Sequence, residues 1–369
     1  MNANHRIRFE PGLKTLDPEY YTGETAYAQA RTEVFFKSWQ FACHQSQVTQ
    51  PGDYVCFSIF DQDLVVVRGN DDQLRCFYNV CQHRGHTLLQ GSGNSRVVVC
   101  PYHAWTYELS GEFRGAPGTR NLLSFDGSAI CLSSVKLDVF CGFVFVNLDE
   151  HARSISESYP GVEKAVRAVC PDIEKRLHAD KASLIKHSNW LVAVENYNEC
   201  YHCKNVHSAL SSGVVEADTY NVAAFFSDDG QAAPCLRHTA KAQSGDGSWY
   251  DTSGSDYCTF YLWPAFGLQI YPSGLVNTYH WRPIGIDKTE VTRDWYSQNG
   301  EVDDTLRSVI DLDRNTTVAE DAELVKNVQR GLNSMGYKAG QLVLNPEEGI
   351  DSEHSIAALH QWVRAAITL

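Results

Sequence analysis

Apolar positions change their period near residue 40, and that change divides the chain into elements. Over residues 24–39 they recur at helical intervals, with Tyr27, Val34, Phe35 and Trp39 on one stripe behind a Thr22-Gly23 start, which predicts a helix. Beyond it they come in short runs at 54–60, 64–67, 97–99 and 143–148, rich in β-branched and aromatic residues. Turn-forming clusters at Pro51-Gly52, 69–72 and 91–94 separate these runs. The stretch to about Glu150 therefore reads as a small all-β domain.

After that point the period lengthens again. A helical stretch is predicted over 162–177, then a strand-like segment, then a helix over 195–210. The aromatic-rich section 257–296 reads as antiparallel strands. Two helices close the chain. The first covers 318–335, with Thr317 and Glu320 at capping-box spacing and Leu324, Val325, Val328 and Leu332 expected inward. The second starts at Ser355 and carries Ile356, Leu359, Val363 and Ile367 on one stripe. The expected class is α+β: an N-terminal helical segment, 1–38, packed on the C-terminal domain, an all-β domain, 39–150, and the C-terminal domain itself, 151–369.

Composition adds exclusions. With 369 residues, 43% apolar and 21% charged, the chain has the balance of an ordinary globular protein. A formal net charge of −14 argues against nucleic acid or an anionic membrane as partner, since those select basic surfaces. No run approaches the roughly 18 apolar residues of a membrane span. The first residues, Met1 to Leu13, are polar and lack the apolar stretch of an export signal, so a cytoplasmic address is expected. In that reducing compartment the twelve cysteines should be thiols or metal ligands.

Two of them stand in a ligand pattern. Cys81-Gln82-His83 is followed, after sixteen residues, by Cys100-Pro101-Tyr102-His103. Cys-X-His with Cys-X2-His is the spacing of a Rieske [2Fe-2S] centre, in which two thiolates hold one iron and two imidazoles the other. Two cysteines and two histidines would also satisfy tetrahedral zinc. The loops sit among β segments, and 83–86 with 100–105 resemble the Rieske loops of ring-hydroxylating oxygenases. Respiratory Rieske proteins carry an additional disulfide-forming cysteine in each loop, where His86 and Tyr102 stand here. Cys43, Cys56, Cys76, Cys131, Cys141, Cys170, Cys235 and Cys258 have no such spacing and are expected to be small buried apolar residues.

A second constellation lies at 195–207. Two histidines and a carboxylate with open positions form the facial triad of non-haem Fe(II) oxygenases. His202 and His207 are five apart, about 140° around an ideal helix, so the helix must bulge or end there to aim both at one metal. Tyr-His-X4-His with an acid three residues before the first histidine resembles the catalytic domain of Rieske oxygenases. The segments 196–203 and 320–332, with Ser352-Glu353-His354, resemble the branch acting on quaternary ammonium compounds, carnitine monooxygenase and betaine demethylases.

That resemblance implies a Rieske domain followed by a mononuclear-iron catalytic domain of helix-grip type. It implies Asp321 as third iron ligand; three, four and seven residues before Leu324, Val325 and Val328, Asp321 is expected on a buried face, with Glu320 and Glu323 as rivals. Glu199 becomes the acid linking a catalytic histidine to a cluster histidine across a subunit interface. A head-to-tail homotrimer and a separate NAD(P)H-dependent flavin and iron–sulfur reductase are implied too, and the chain has no flavin, nicotinamide or plant-type ferredoxin motif of its own. The expected reaction is O2-dependent hydroxylation next to a quaternary nitrogen, with an aromatic-ring hydroxylase, a pure electron carrier and a zinc module as alternatives. Aromatic faces attract such a cation. Tyr197, Tyr201, Phe260, Trp263, Phe266 and Tyr271 are the candidate pocket residues, from a wider set that also includes Tyr257, Tyr261, Tyr279 and Trp281, while Arg237 and His238 are candidates for a substrate carboxylate.

Overall fold

The computed structural model describes residues 9, 12–120, 122, 124–207, 214–226, 232–242, 256–272, 274–345 and 349–369. The chain divides into two compact units, one of residues 35–155 and one of residues up to Val34 together with 156–369.

The 35–155 unit is all β. Strands β1 Gln40–His44, β2 Asp53–Ile59, β3 Gln62–Arg68, β4 Leu74–Tyr78, β5 Ser92–Asn94, β9 Ser134–Phe140 and β10 Phe143–Asn147 form an antiparallel sheet in the order β1-β10-β9-β4-β3-β2-β5. A smaller sheet joins β6 Val98–Val99, β7 Thr106–Tyr107 and β8 Phe113–Gly115. Val65, Val67, Phe77, Leu88, Val98, Tyr107, Leu109 and Leu132 make one core with Cys81 and Cys100. The loops after β4 and β6 carry the two Cys/His pairs.

The other unit is built on one seven-stranded antiparallel sheet: β11 Leu177–Lys186, β12 Asn221–Phe226, β13 Ala232–Ala240, β14 Tyr257–Leu262, β15 Phe266–Ile270, β16 Val276–Gly285 and β17 Lys288–Ser297, ordered β11-β17-β16-β15-β14-β13-β12. Every residue of β15 is buried, so both faces of the sheet are covered at its centre and polar alternation is lost there. The helices are α1 Glu19–Thr22, α2 Glu24–Gln29, α3 Val162–Val169, α4 Trp190–Asn198, α5 Cys203–Val206, α6 Asp304–Asn315, α7 Thr317–Leu332 and α8 His354–Ala366. Helix α4 starts where the Asn189 side chain accepts from the Leu191 N–H, a cap worth about 1 kcal/mol. It packs on β16 and α7. Glu195 ties α1 and α8 to it, accepting from Tyr21 Oη at 2.7 Å and lying 2.8 Å from His360 Nε2.

Several predicted elements differ. The 24–39 helix is α2 followed by a π-helical segment, Ala30–Phe35. The 162–177 stretch is helical only as α3, ending in a 3-10 turn, Ile173–Lys175, before β11. The 195–210 helix is two pieces, α4 and α5, and residues 208–210 lie outside the described residues. On α7 the buried stripe is Val318, Val325, Gln329 and Leu332, with Asp321 half-buried in line with them, whereas Leu324 and Val328 are exposed. The Thr317–Glu320 capping box is absent; Thr316 is the N-cap residue, and Glu320 is engaged elsewhere. Cys131 is exposed rather than buried and Cys56 half-buried, while Cys200 and Cys203, expected as thiols, form a disulfide.

Candidate active site

The two cluster loops repeat one backbone design. In each, the cysteine N–H donates to the carbonyl five residues on, Cys81 to His86 and Cys100 to Trp105, and the residue four on, Gly85 or Ala104, donates back to the cysteine carbonyl. Gly85 and Ala104 both take positive φ, 72° and 51°, which turns each loop back on itself. The cysteines are buried, His83 is exposed and His103 half-buried, so the sulfurs face inward and the His83 ring outward. The His83 and His103 rings lie 4.8 Å apart, and His103 Nδ1 is buried without a hydrogen-bond partner, as an imidazole awaiting iron would be. Tyr107 Oη lies 3.3 Å from Cys81 Sγ, and a hydrogen bond to a ligating sulfur tunes a cluster's potential. This donor set fits a Rieske cluster.

In the other unit, α4 ends at Asn198 and Glu199 is extended (φ −129°, ψ 152°). The chain re-enters a helix only after His202, and this break lets two histidines five apart converge. Their Nε2 atoms lie 3.1 Å apart, and Asp321 Oδ1 on α7 is 3.5 Å from His202 Nε2 and 3.1 Å from His207 Nε2. The far ring nitrogens are held by carboxylates: His202 Nδ1 by Glu199 at 2.5 Å, His207 Nδ1 by Glu320 at 2.8 Å. With Nδ1–H held by a carboxylate, each ring that gives up its Nε2 proton to a cation presents that lone pair at the common point, the usual support of a metal-binding histidine. Burial would lower His202, but Asp321 and Glu199 more than offset it and raise its pKa to about 9. Burial would likewise raise Asp321, yet hydrogen bonds from both imidazoles hold it well below the usual carboxylate range. Three carboxylates around two imidazoles leave negative charge for a divalent cation to neutralise. Two nitrogens and one carboxylate oxygen fit Fe(II). Cys203 Sγ also lies within 4.8 Å of both ring nitrogens, but its disulfide removes it as a thiolate. Glu323 pairs with Lys326 at the surface.

A pocket opens beside this triad, and its floor is one face of the sheet. Register places His238 against Thr259, Thr259 against Gln269, and Gly267 against Tyr279; Val291 pairs with Trp281. Of these, His238, Thr259, Gln269, Tyr279, Trp281 and Val291 line the cavity, with Tyr257, Tyr271, Tyr220 and, from α4, Tyr197. The rings of Tyr197, Tyr279 and Trp281 form a mutual cluster with centroids 4.6–5.6 Å apart. A Cβ at position 267 would stand 2.6 Å from Tyr197 Oη, so only glycine leaves room for that ring. Asp313 closes one wall, accepting from Tyr279 Oη at 2.7 Å and paired with Arg293.

Of the pocket candidates, Tyr197 and Tyr271 line the cavity. Tyr201 is exposed, and Phe260, Trp263 and Phe266 are buried away from the lining. From the wider aromatic set, Tyr257, Tyr279 and Trp281 line the cavity and Tyr261 is buried away from it; Tyr220, Lys186 and Asp313 also line it, and nothing in the sequence pattern marks them. Arg237 lies outside the lining, against Cys258 and Phe260. His238 is in it, with its pKa lowered by burial to about 3 and both ring nitrogens engaged, Nδ1 with Tyr220 Oη at 2.6 Å and Nε2 with Asn198 Oδ1 at 3.3 Å.

A Rieske [2Fe-2S] domain model matches residues 38–126, and the catalytic domain of ring-hydroxylating alpha subunits matches 172–369. The carnitine monooxygenase oxygenase subunit of Escherichia coli (strain K12) is 34% identical, covering 94% of this chain and 92% of its own. The chloroplastic choline monooxygenase of Amaranthus tricolor is 29% identical, covering 98% and 84%. The crystal structure of the quaternary ammonium Rieske monooxygenase CntA with its substrate L-carnitine superimposes with a TM-score of 0.87 at 30% identity, over 97% of this chain and 96% of that one. The chain belongs to the ring-hydroxylating oxygenase alpha-subunit family, as the oxygenase component of a Rieske non-haem iron monooxygenase. Its cofactors are a Rieske [2Fe-2S] cluster and a mononuclear iron, which sets aside the zinc-module and pure-carrier alternatives. Among the described residues no helix is long and apolar enough to cross a membrane.

Proposed function

We propose that the enzyme hydroxylates a quaternary ammonium compound at a carbon attached to nitrogen, with Cys81, His83, Cys100 and His103 holding the cluster and His202, His207 and Asp321 holding the mononuclear iron. The observation that carries the substrate class is the aromatic cluster of Tyr197, Tyr279 and Trp281 in the same pocket as the triad. A trimethylammonium group cannot donate hydrogen bonds, and it is held by ring faces. Relatives named for carnitine and choline oxidation support the same class.

Iron in this triad supplies dioxygen activation, with electrons arriving through the cluster. Overall, the quaternary ammonium substrate, O2, NAD(P)H and a proton give the carbinol, NAD(P)⁺ and water. One oxygen atom enters a C–H bond beside nitrogen, and the other leaves as the water. The carbinol then loses its hydroxyl proton, its C–N bond breaks with the electron pair going to nitrogen, and a tertiary amine and an aldehyde leave. The protein's part is to seat the cation on its rings with one C–H toward the triad and to exclude bulk water. Glu199 holds His202 in register and, in a head-to-tail homotrimer, would link it to a cluster histidine of the next subunit. A separate NAD(P)H-dependent flavin and iron–sulfur reductase supplies the electrons. Ten cysteines outside any disulfide suit the cytoplasm.

The test is reductase-coupled O2 uptake with carnitine, γ-butyrobetaine, choline and glycine betaine, scored for trimethylamine or formaldehyde. Turnover confined to a bicyclic arene would replace this reading with ring hydroxylation.

A further inference from the structure

Lys186, the last residue of β11, is 6% exposed and lies in the wall of the active-site cavity. Its Nζ donates to Asn196 Oδ1 at 3.2 Å. Asn196 Nδ2 in turn donates to Asp321 Oδ1 at 3.0 Å and sits 3.5 Å from His202 Nε2. An amino group at this position offers donors, and a carboxylate only accepts. The amide between them has one satisfied orientation, oxygen toward Lys186 and N–H toward the metal-ligand face. Take the lysine away, and rotation about the last Asn196 torsion, which is broad and roughly two-fold, becomes available. The turned amide would present a neutral carbonyl oxygen where His202 Nε2, His207 Nε2 and Asp321 Oδ1 converge. Carbonyl oxygen is a competent ligand for hard divalent cations.

We propose that Lys186 is a positioning residue that holds the Asn196 carbonyl away from the metal centre and so keeps a coordination position free for an exogenous ligand. The inference rests on the ligand set of the preceding subsection. Burying a lysine among apolar neighbours is costly unless it is paired; here burial, with Arg293 nearby, outweighs the Asp321 and Asp313 carboxylates and lowers the ammonium's pKa. The arrangement makes sense if the orientation of one amide matters to the site.

The experiment uses full-length protein with its cluster intact and the mononuclear site stripped and reloaded with Co(II), read by low-temperature EPR while azide is titrated as the exogenous ligand. The oxidised cluster is silent in that spectrum. Wild type should respond to azide. Lys186→Met, which keeps length but removes the donor, should bind azide on the order of tenfold more weakly, the size of effect expected for a partner that orients metal ligands. Lys186→Arg should behave as wild type. Removing the amide as well, in Lys186→Met/Asn196→Ala, should restore the azide response, which a merely structural defect would not allow. An unchanged azide affinity in Lys186→Met overturns the proposal, as does a double variant as insensitive as the single one. Should Lys186→Met lose its cluster spectrum, Asn196→Ala alone decides. Wild-type azide affinity there supports a carbonyl already turned away, and a newly gained response shows that it fills the position in wild type and overturns the proposal. A His202→Ala control separates the two levels. Co(II) retained with an unchanged EPR signal in that variant means that the ligand set itself is wrong.

Discussion

Asp321 and Glu323 stand two residues apart on α7 in opposite surroundings. Asp321 is half-buried against two imidazoles and the Asn196 amide, while Glu323 meets Lys326 in solvent. Asp321→Ala should therefore lose the mononuclear iron while the Rieske spectrum persists, and Glu323→Ala should keep both, as iron analysis and visible absorbance will show. Metal loss on removing Glu323 would refute the ligand set. Glu199 touches His202 Nδ1 and also accepts the Tyr201 and His202 backbone N–H groups, so it both orients the ring and closes the turn. Glu199→Gln preserves an acceptor for the turn but removes the charge. It should leave both irons bound and the cluster reducible, yet slow substrate-dependent reoxidation of the reduced cluster by on the order of 10²-fold. Single-turnover stopped-flow absorbance measures this, and reoxidation at the wild-type rate would make Glu199 only a turn residue. At this scale the convergence of His202, His207 and Asp321 was what spacing and resemblance led one to expect. Glu320 was not legible. It sits at the start of a helix, where a cap is the ordinary reading, and only the fold brings His207 to it.

At the scale of elements, the pocket is a matter of strand parity. In β14 to β17 the lining residues Tyr257, Thr259, Gln269, Tyr279, Trp281 and Val291 all have odd numbers, because register pairs odd with odd across these strands. Phe260 and Phe266, chosen from the sequence, have the other parity and point to the opposite face. Composition could not show this, since both faces of these central strands are buried and apolar; the alternation that normally marks the inner face is missing. On α7 the difficulty was similar. The inward stripe contains Asp321 and Gln329, so the more apolar neighbouring stripe with Leu324 and Val328 looked inward. At Gly267 the sheet runs close under the Tyr197 ring of α4, and its substitution probes the pocket. Gly267→Ala puts a methyl 2.6 Å from Tyr197 Oη and must push that ring from its place in the cluster. The expected cost is about 1–3 kcal/mol of stability, read by thermal unfolding. KM for the quaternary ammonium substrate should rise more than kcat falls, with iron content unchanged. An unaltered KM would move the cation site away from Tyr197.

Considered as a whole, the molecule keeps its two redox sites in different folding units, one on β-domain loops and one beneath the α4–α7 pair. In the sequence the apolar period switches near residue 150, as a β domain and a helix-covered sheet bury their residues at different intervals, and the compact units part after Ile155. Assembly is not readable in the same way, since a single chain's pattern records what is buried, not by which copy. The purified protein should contain about three irons and two sulfides per chain, as the two site types require. Cys100→Ser should bleach the cluster without emptying the mononuclear site. Asp321→Ala should do the reverse, and neither should turn over alone. The proposed head-to-tail ring makes a sharper demand when the two are co-expressed. Each cluster then serves the iron of its neighbour, so a junction works when an Asp321→Ala subunit, with its intact cluster, precedes a Cys100→Ser subunit, with its intact iron. Random mixing at equal expression satisfies that at about a quarter of junctions in a closed heterologous ring. The mixture should therefore recover about a quarter of wild-type turnover, measured as product per total chain with excess reductase. Electron transfer within one subunit predicts none, because no chain in the mixture carries both intact sites. Adding Glu199→Gln to the Cys100→Ser partner, whose iron is the one being fed, should suppress the recovery. The same change on the Asp321→Ala partner should not, since that subunit's own triad is already idle. Recovery indifferent to which partner carries Glu199→Gln would separate the trimer from the bridge, and turnover absent from every mixture would return both sites to a single chain.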